Sequence, residues 1–204
     1  MLSFGTVEPH TLELLKALTH EPLLSGVRLV RGTSLALQYG HRKSVDLDFF
    51  GEIKCDIIDI NDMLRSYGRV MPIKETKTIC IYKVDGIKID IVDYSRYPWI
   101  DDCIQENDLR LASPKDIAAM KVNAVEGRGS RKDFVDIYFL LKHYSLSEIL
   151  QFYRQKYPEN SFFRALMSLT YFDDAELQMM PVMLSGVSWE EMKKYISMEV
   201  KKMM

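Results

Sequence analysis

Cysteine and histidine are scarce in this chain. Three cysteines, Cys55, Cys80 and Cys103, stand far apart in 204 residues, with no C-x-x-C pair. An odd, dispersed set argues against a disulfide framework, and with four scattered histidines no zinc site is expected. Long apolar runs are missing too: none approaches the roughly 20 residues that span a bilayer. Met1 to Leu15 lacks the basic lead and apolar core of a secretory signal, so a cytoplasmic location is expected. There is no excess of positive charge. The net charge of -2 excludes an overall basic field for nucleic acid and leaves room only for a local groove.

What is present is the composition of a packed globular protein, 47% hydrophobic and 27% charged. The spacing of Leu12, Leu15 and Leu18 predicts a helix over Pro9–Leu18, broken at Pro22 and Gly26. A strand is expected over Val27–Arg31. After Gly32, Thr33 or Ser34 would cap a short helix, Leu35–Tyr39, that Gly40 ends. Val45–Phe50 reads as a strand with Val45, Leu47 and Phe49 on one face and Asp46 and Asp48 on the other. A helix over Asp56–Tyr67 and strands at Val70–Ile73 and Thr78–Val84 follow. The Asp85-Gly86 dipeptide is a two-residue hairpin signal leading into Ile87–Tyr94. From Ser113 onward the chain reads as helices, the first starting at Ser113-Pro114 and running to about Glu126, where Gly127-Arg128-Gly129 interrupts it. Others start at Ser130, Ser147, Ser161 and at the capping box Ser188-Trp189-Glu190-Glu191. The pattern predicts an α+β fold. Residues 1–112 form a mixed sheet flanked by helices, and residues 113–204 a helical region packed on that core.

Six places carry candidate chemistry. Asp46 and Asp48, at i and i+2 of a strand, would converge on one face, and two like charges there call for a cation; Mg²⁺ (or Mn²⁺) is a natural one. Gly32, Thr33 and Ser34, at a strand-to-helix turn, offer close backbone approach and free N–H groups to a phosphate. Asp90 alternates onto the same face as Lys88 and would be a third acid if its strand lies beside the first. Lys121 sits in an apolar stripe with Ile117, Ala118, Ala124 and Val125, and needs an anion: a triphosphate or a structural carboxylate. Asp133 and Asp136 lie a turn apart on the next helix. Asp133 could close a capping box with Ser130, whereas Asp136, amid Phe134, Val135, Ile137 and Tyr138, needs a buried cation such as Lys121 or Arg131, so Asp136 is preferred as the functional acid. Arg42 and Lys43 precede the acidic strand, where they could meet nucleotide phosphates or solvent.

The order Leu29–Leu37, Ser44–Phe50, Lys88–Val92, Lys121 through Asp136 and Tyr171-Phe172-Asp173-Asp174-Ala175 resembles that of AbiEii/AbiGii-type nucleotidyltransferases. These are toxins of bacterial toxin–antitoxin pairs within the DNA polymerase β-like superfamily. The resemblance implies transfer of a nucleoside monophosphate from an NTP with release of pyrophosphate. It assigns metal binding to Asp46, Asp48 and Asp90, and phosphate binding to Gly32 and Thr33. Lys121 and Asp136, with Asp133 nearby, would be the later lysine and aspartate motifs. Relatives modify tRNA acceptor ends, so tRNA or another RNA is a candidate acceptor (a protein is another), and a cognate antitoxin is implied as partner. One departure stands out: the family usually has two glycines before the hydroxyl, and this chain has Arg31-Gly32. Arginine disfavours the positive φ that glycine permits, and could itself ligate a phosphate. A non-catalytic relative that binds a nucleotide or a partner is the alternative; a metal-dependent phosphohydrolase ranks last.

Overall fold

The computed structural model describes all 204 residues. It forms two compact units. The first comprises residues 1–38, 44–97 and 103–112, and the second residues 39–43, 98–102 and 113–204. The architecture is α+β: a seven-stranded mixed sheet with helices in the first unit, and a helical second unit.

The sheet is built from β1 (Val27–Leu29), β2 (Leu47–Gly51), β3 (Val70–Glu75), β4 (Ile79–Val84), β5 (Ile87–Asp93), β6 (Ile104–Glu106) and β7 (Leu109–Leu111), in the order β3-β4-β5-β2-β1-β7-β6. β2 is antiparallel to β1 and parallel to β5, and β1 is parallel to β7. Helices α1 (Pro9–Thr19), α2 (Arg31–Tyr39) and α3 (Ile57–Arg65) accompany it. Leu14, Leu15 and Leu18 of α1 and Ile60 and Leu64 of α3 share one apolar core with Leu47, Phe49, Tyr82, Ile89 and Ile91 of the strands. Leu15, Leu18, Ile60, Leu64, Leu47, Phe49, Ile89 and Ile91 are residues that the period-2 and helical spacings single out, whereas Leu12 is only partly buried and Leu14 takes the core position instead. The Asp85-Gly86 hairpin forms as expected, with both residues at positive φ, 47° and 88°.

Three differences from the sequence pattern bear on the site. Helix α2 starts at Arg31 rather than Leu35, so Thr33 and Ser34 lie inside its first turn and are buried. Strand β2 starts at Leu47, and Val45 stays 57% exposed. The segment before it is held instead by Ser44 N–H donating to the Thr6 carbonyl and the Thr33 hydroxyl donating to the Asp46 carbonyl. The third is the β6–β7 hairpin, which falls in a stretch that reads as loop. Its strands are three residues each, too short for a periodicity to register, and Asn107 and Asp108 make its turn at φ 52° and 62°.

The second unit contains α4 (Pro114–Arg128), α5 (Arg131–Leu140), α6 (Leu146–Lys156), α7 (Phe162–Ser168), α8 (Asp173–Glu176) and α9 (Trp189–Lys201). Ser113 caps α4 by accepting the Asp116 N–H, and α4 passes through Gly127 to end at Gly129, whose left-handed φ of 52° sends its N–H to the Ala124 carbonyl. α4 lies against α5, α6 and α7. The capping box expected at Ser188 and Glu191 is present.

Candidate functional site

Parallel pairing of β2 with β5 sets Asp48 directly opposite Asp90. Both side chains point to the face that also carries Phe50 and Lys88, and both are nearly buried, 9% and 8% exposed. Two carboxylates so placed repel unless a cation stands between them. Arg31 supplies it. Its Nη1 donates to Asp48 Oδ1 at 2.9 Å and to Asp90 Oδ2 at 3.3 Å, and its guanidinium stacks over the Phe50 ring at 4.6 Å. Lys88 Nζ holds the other oxygen of Asp90. The backbone of Arg31 sits at φ 57°, a left-handed conformation that costs a residue with a Cβ about 1 kcal/mol or more. The conformation therefore survives although glycine is absent.

Burial raises the pKa of Asp48. The nearby Asp90 adds to the rise, and the charges of Arg31 and Lys88 oppose it without cancelling it. Asp48 is thus a more basic carboxylate than one in water.

The triad of Asp46, Asp48 and Asp90 does not assemble as three metal ligands. Asp46 lies in the segment ahead of β2, and no group of three or more Asp, Glu, His or Cys side chains is arranged to hold a metal ion. The space shared by Asp48 and Asp90 is taken by a guanidinium. As arranged, these donors do not fit a divalent ion. The hydroxyls of the turn are likewise turned inward. Thr33 Oγ1 bonds to Ser44 Oγ at 2.8 Å and to the Asp46 carbonyl, and Ser34 Oγ accepts from Gln38 Nε2 at 3.1 Å. Thr33 thereby fastens the start of α2 to the approach of β2, while the Ser34 bond stays within α2. Gly32 is buried in the same turn.

The second unit holds its own charged cluster. Lys121 Nζ lies 2.9 Å from Asp133 Oδ1 and 2.6 Å from Asp136 Oδ2. Of the two anions the sequence leaves open for this lysine, the structure supplies carboxylate. Asp136 also accepts from Arg42 Nε at 2.7 Å and Nη2 at 2.9 Å, and pairs with His41 Nε2 at 2.8 Å. Arg42 is therefore buried against an aspartate 94 positions away rather than sitting in a solvated loop. Asp133 takes Arg128 in a forked pair, 2.9 and 3.2 Å, and the hydroxyl of Ser130. That hydroxyl donates to the carboxylate and does not cap the helix, so the expected capping box is not formed. Arg131, the other cation considered for Asp136, bonds instead to the carbonyls of Ala175 and Glu176. Burial alone would raise the pKa of Asp136; the charges of Arg42 and Lys121 outweigh it and hold this carboxyl well below the usual range. Asp133 is held low in the same way, chiefly by Lys121 and Arg128 against its burial.

Lys88, which the strand spacing sets on the face of Asp90, carries no role of its own in the sequence reading, and His41, Arg128 and Lys156 are not read there as partners of a carboxylate. Lys156 is wholly buried, with Nζ 2.7 Å from Asp116 Oδ1. Its spacing from Ile149 and Tyr153 put it on the apolar stripe of α6, where a lysine demands an anion.

A family model for the nucleotidyl transferase AbiEii toxin of type IV toxin–antitoxin systems matches residues 13–200. The chain belongs to the AbiEii family. This AbiEii-family chain is also 37% identical over 179 residues to an uncharacterized protein of Aquifex aeolicus (strain VF5), the match covering 85% of each. Among solved structures it matches a CCA-adding enzyme in complex with CTP at 15% identity and a TM-score of 0.40, over 83% of this chain. It spans about half, 52%, of that enzyme chain. It also matches a STING-associated CdnE c-di-GMP synthase from Capnocytophaga granulosa at 14% identity and a TM-score of 0.30, over 95% of this chain and 79% of that one. No helix of the AbiEii-family chain is long and apolar enough to cross a membrane.

Proposed function

We propose that this AbiEii-family protein moves a nucleoside monophosphate from an NTP to an acceptor hydroxyl, and that it does so at the Asp48–Asp90 pair of the first unit. The observation that carries this reading is that pair itself: two buried acids in register on parallel strands, faced by Arg31 and Lys88. In the reaction the acceptor oxygen bonds to the α-phosphorus, the bond from that phosphorus to the bridging oxygen breaks, and pyrophosphate leaves. Asp48, made more basic by burial, takes the hydroxyl proton. Arg31 and Lys88, each about a third exposed, present positive charge to the phosphates. No step is written through Mg²⁺ or Mn²⁺: without nucleotide, the Arg31 guanidinium and not a divalent ion lies between the two acids. Lys121, Asp133, Asp136 and Arg42 serve in it as the charged core of the second unit. An RNA, tRNA among them, or a protein is the acceptor class, and an antitoxin is the partner.

The test is transfer of label. Each of four α-labelled NTPs is incubated with the protein, total RNA and Mg²⁺ or Mn²⁺. Label on RNA or protein, with pyrophosphate in solution, is expected. Release of orthophosphate instead would point to a hydrolase. The Arg31 bridge favours one second reading, a nucleotide or partner binder without turnover, for which NTP binds tightly and no label moves.

A further inference from the structure

We infer that Arg31 is a built-in cation that holds the acidic pair closed, so that a divalent ion enters between Asp48 and Asp90 only by displacing it. This deepens the transferase reading and rests on it for its biological sense. Four observations converge. Arg31 touches both carboxylates, with one nitrogen at 2.9 and 3.3 Å. It does so from a backbone at φ 57°, so the turn tolerates strain to place it there. Its guanidinium is supported on one face by Phe50, next but one to Asp48 on the same strand. The pair lacks a third acid that would draw a metal in regardless. A guanidinium in that position supplies the charge neutralisation that a metal would, without offering coordination sites to a substrate. At 34% exposure it can also leave: a triphosphate is the stronger partner for a forked donor, and an arginine drawn to it would uncover both acids together. The chain would then be held idle without nucleotide and opened by it.

The test reads metal binding directly, without turnover. Wild type, Arg31→Gly, Arg31→Lys and the double variant Arg31→Gly/Asp48→Asn are titrated with Mn²⁺ alone, and free ion is counted by electron paramagnetic resonance. Glycine suits the left-handed φ at this position, so the variant is expected to fold. Arg31→Gly should bind Mn²⁺ about tenfold or more tightly than wild type. Arg31→Lys, which keeps a cation, should bind as weakly as wild type, and Asp48→Asn should remove the gain. Thermal melts give a second measure: Mn²⁺ should raise the melting temperature of Arg31→Gly and leave that of wild type unmoved. Equal Mn²⁺ affinity in wild type and Arg31→Gly would overturn the inference, as would a gain that survives Asp48→Asn. Label transfer separates the two claims. Transfer by wild type with no Mn²⁺ effect of Arg31→Gly removes the closed pair and keeps the transferase. The Mn²⁺ effect without transfer from any NTP keeps the closed pair and removes the transferase.

Discussion

Replacing Asp136 by asparagine keeps the shape of the side chain and removes one charge from the centre of the second unit. The wild-type carboxylate is wholly buried and meets Lys121 at 2.6 Å, Arg42 at 2.7 and 2.9 Å, and His41 at 2.8 Å. An amide can answer few of these donors, and its own NH₂ opposes one of them. Lys121 retains Asp133, and Arg42 retains the Lys43 carbonyl. Removing one partner of such a buried pair costs about 3–5 kcal/mol, and we expect Asp136→Asn to fall in that range. Lys121→Met should cost less, about 2–3 kcal/mol, because Arg128 still holds Asp133 and Arg42 still holds Asp136. The sign of the pH dependence follows from a folded pKa below the unfolded value. The stabilisation is complete above about pH 4 and is lost as pH falls toward the folded value. Urea midpoints by circular dichroism, repeated from pH 7 down to pH 2, should show wild type losing stability below about pH 4 more steeply than Asp136→Asn. A loss under about 1 kcal/mol at pH 7, or identical acid limbs, would refute the argument. A Lys121→Met protein of wild-type stability that no longer binds NTP would return that lysine to the nucleotide.

Asp48→Asn should behave in the opposite sense. Because burial raises the folded pKa of Asp48, its ionised form weighs against folding at neutral pH, so the melting temperature should hold or rise while transfer drops by about 100-fold or more. Lys156→Met takes the cation from the buried Asp116, leaving it the Ser113 hydroxyl and the N–H groups of Ile100 and Asp101, and should cost about 3 kcal/mol in a urea titration, although it lies outside the proposed site. Gly51→Ala would set a Cβ 2.2 Å from the Gly26 carbonyl oxygen and 2.7 Å from Val27 Cα, where β1 and β2 pair. Backbone cannot yield there cheaply, and a loss of about 1–3 kcal/mol is expected from its melting curve.

Local pattern carried much of this structure. The hairpin at Asp85-Gly86, the cap at Ser113, the apolar stripes of α1 and α3 and the alternation within β2 and within β5 are all properties of neighbours in the chain, whereas setting Asp48 opposite Asp90 takes the parallel pairing of those two strands. The β6–β7 hairpin was illegible because its strands are too short to show a period. The partners of the charges were harder still. Arg42 reads as a loop residue until it meets Asp136, and Arg31 reads as a candidate phosphate ligand until it meets two acids, one of them 59 positions on. Each is decided by tertiary approach, which spacing does not encode. Even so, a buried lysine or aspartate on an apolar stripe announces that some partner must exist, and Lys121, Asp136 and Lys156 all obey that rule.

The most direct test compares wild type with the Asp48→Asn/Asp90→Asn double variant in a transfer reaction containing all four α-labelled NTPs, total RNA and Mg²⁺. The account predicts label on an acceptor and stoichiometric pyrophosphate from wild type alone, with both proteins folded by circular dichroism. Equal transfer by the two proteins would contradict it, and so would orthophosphate as the only product.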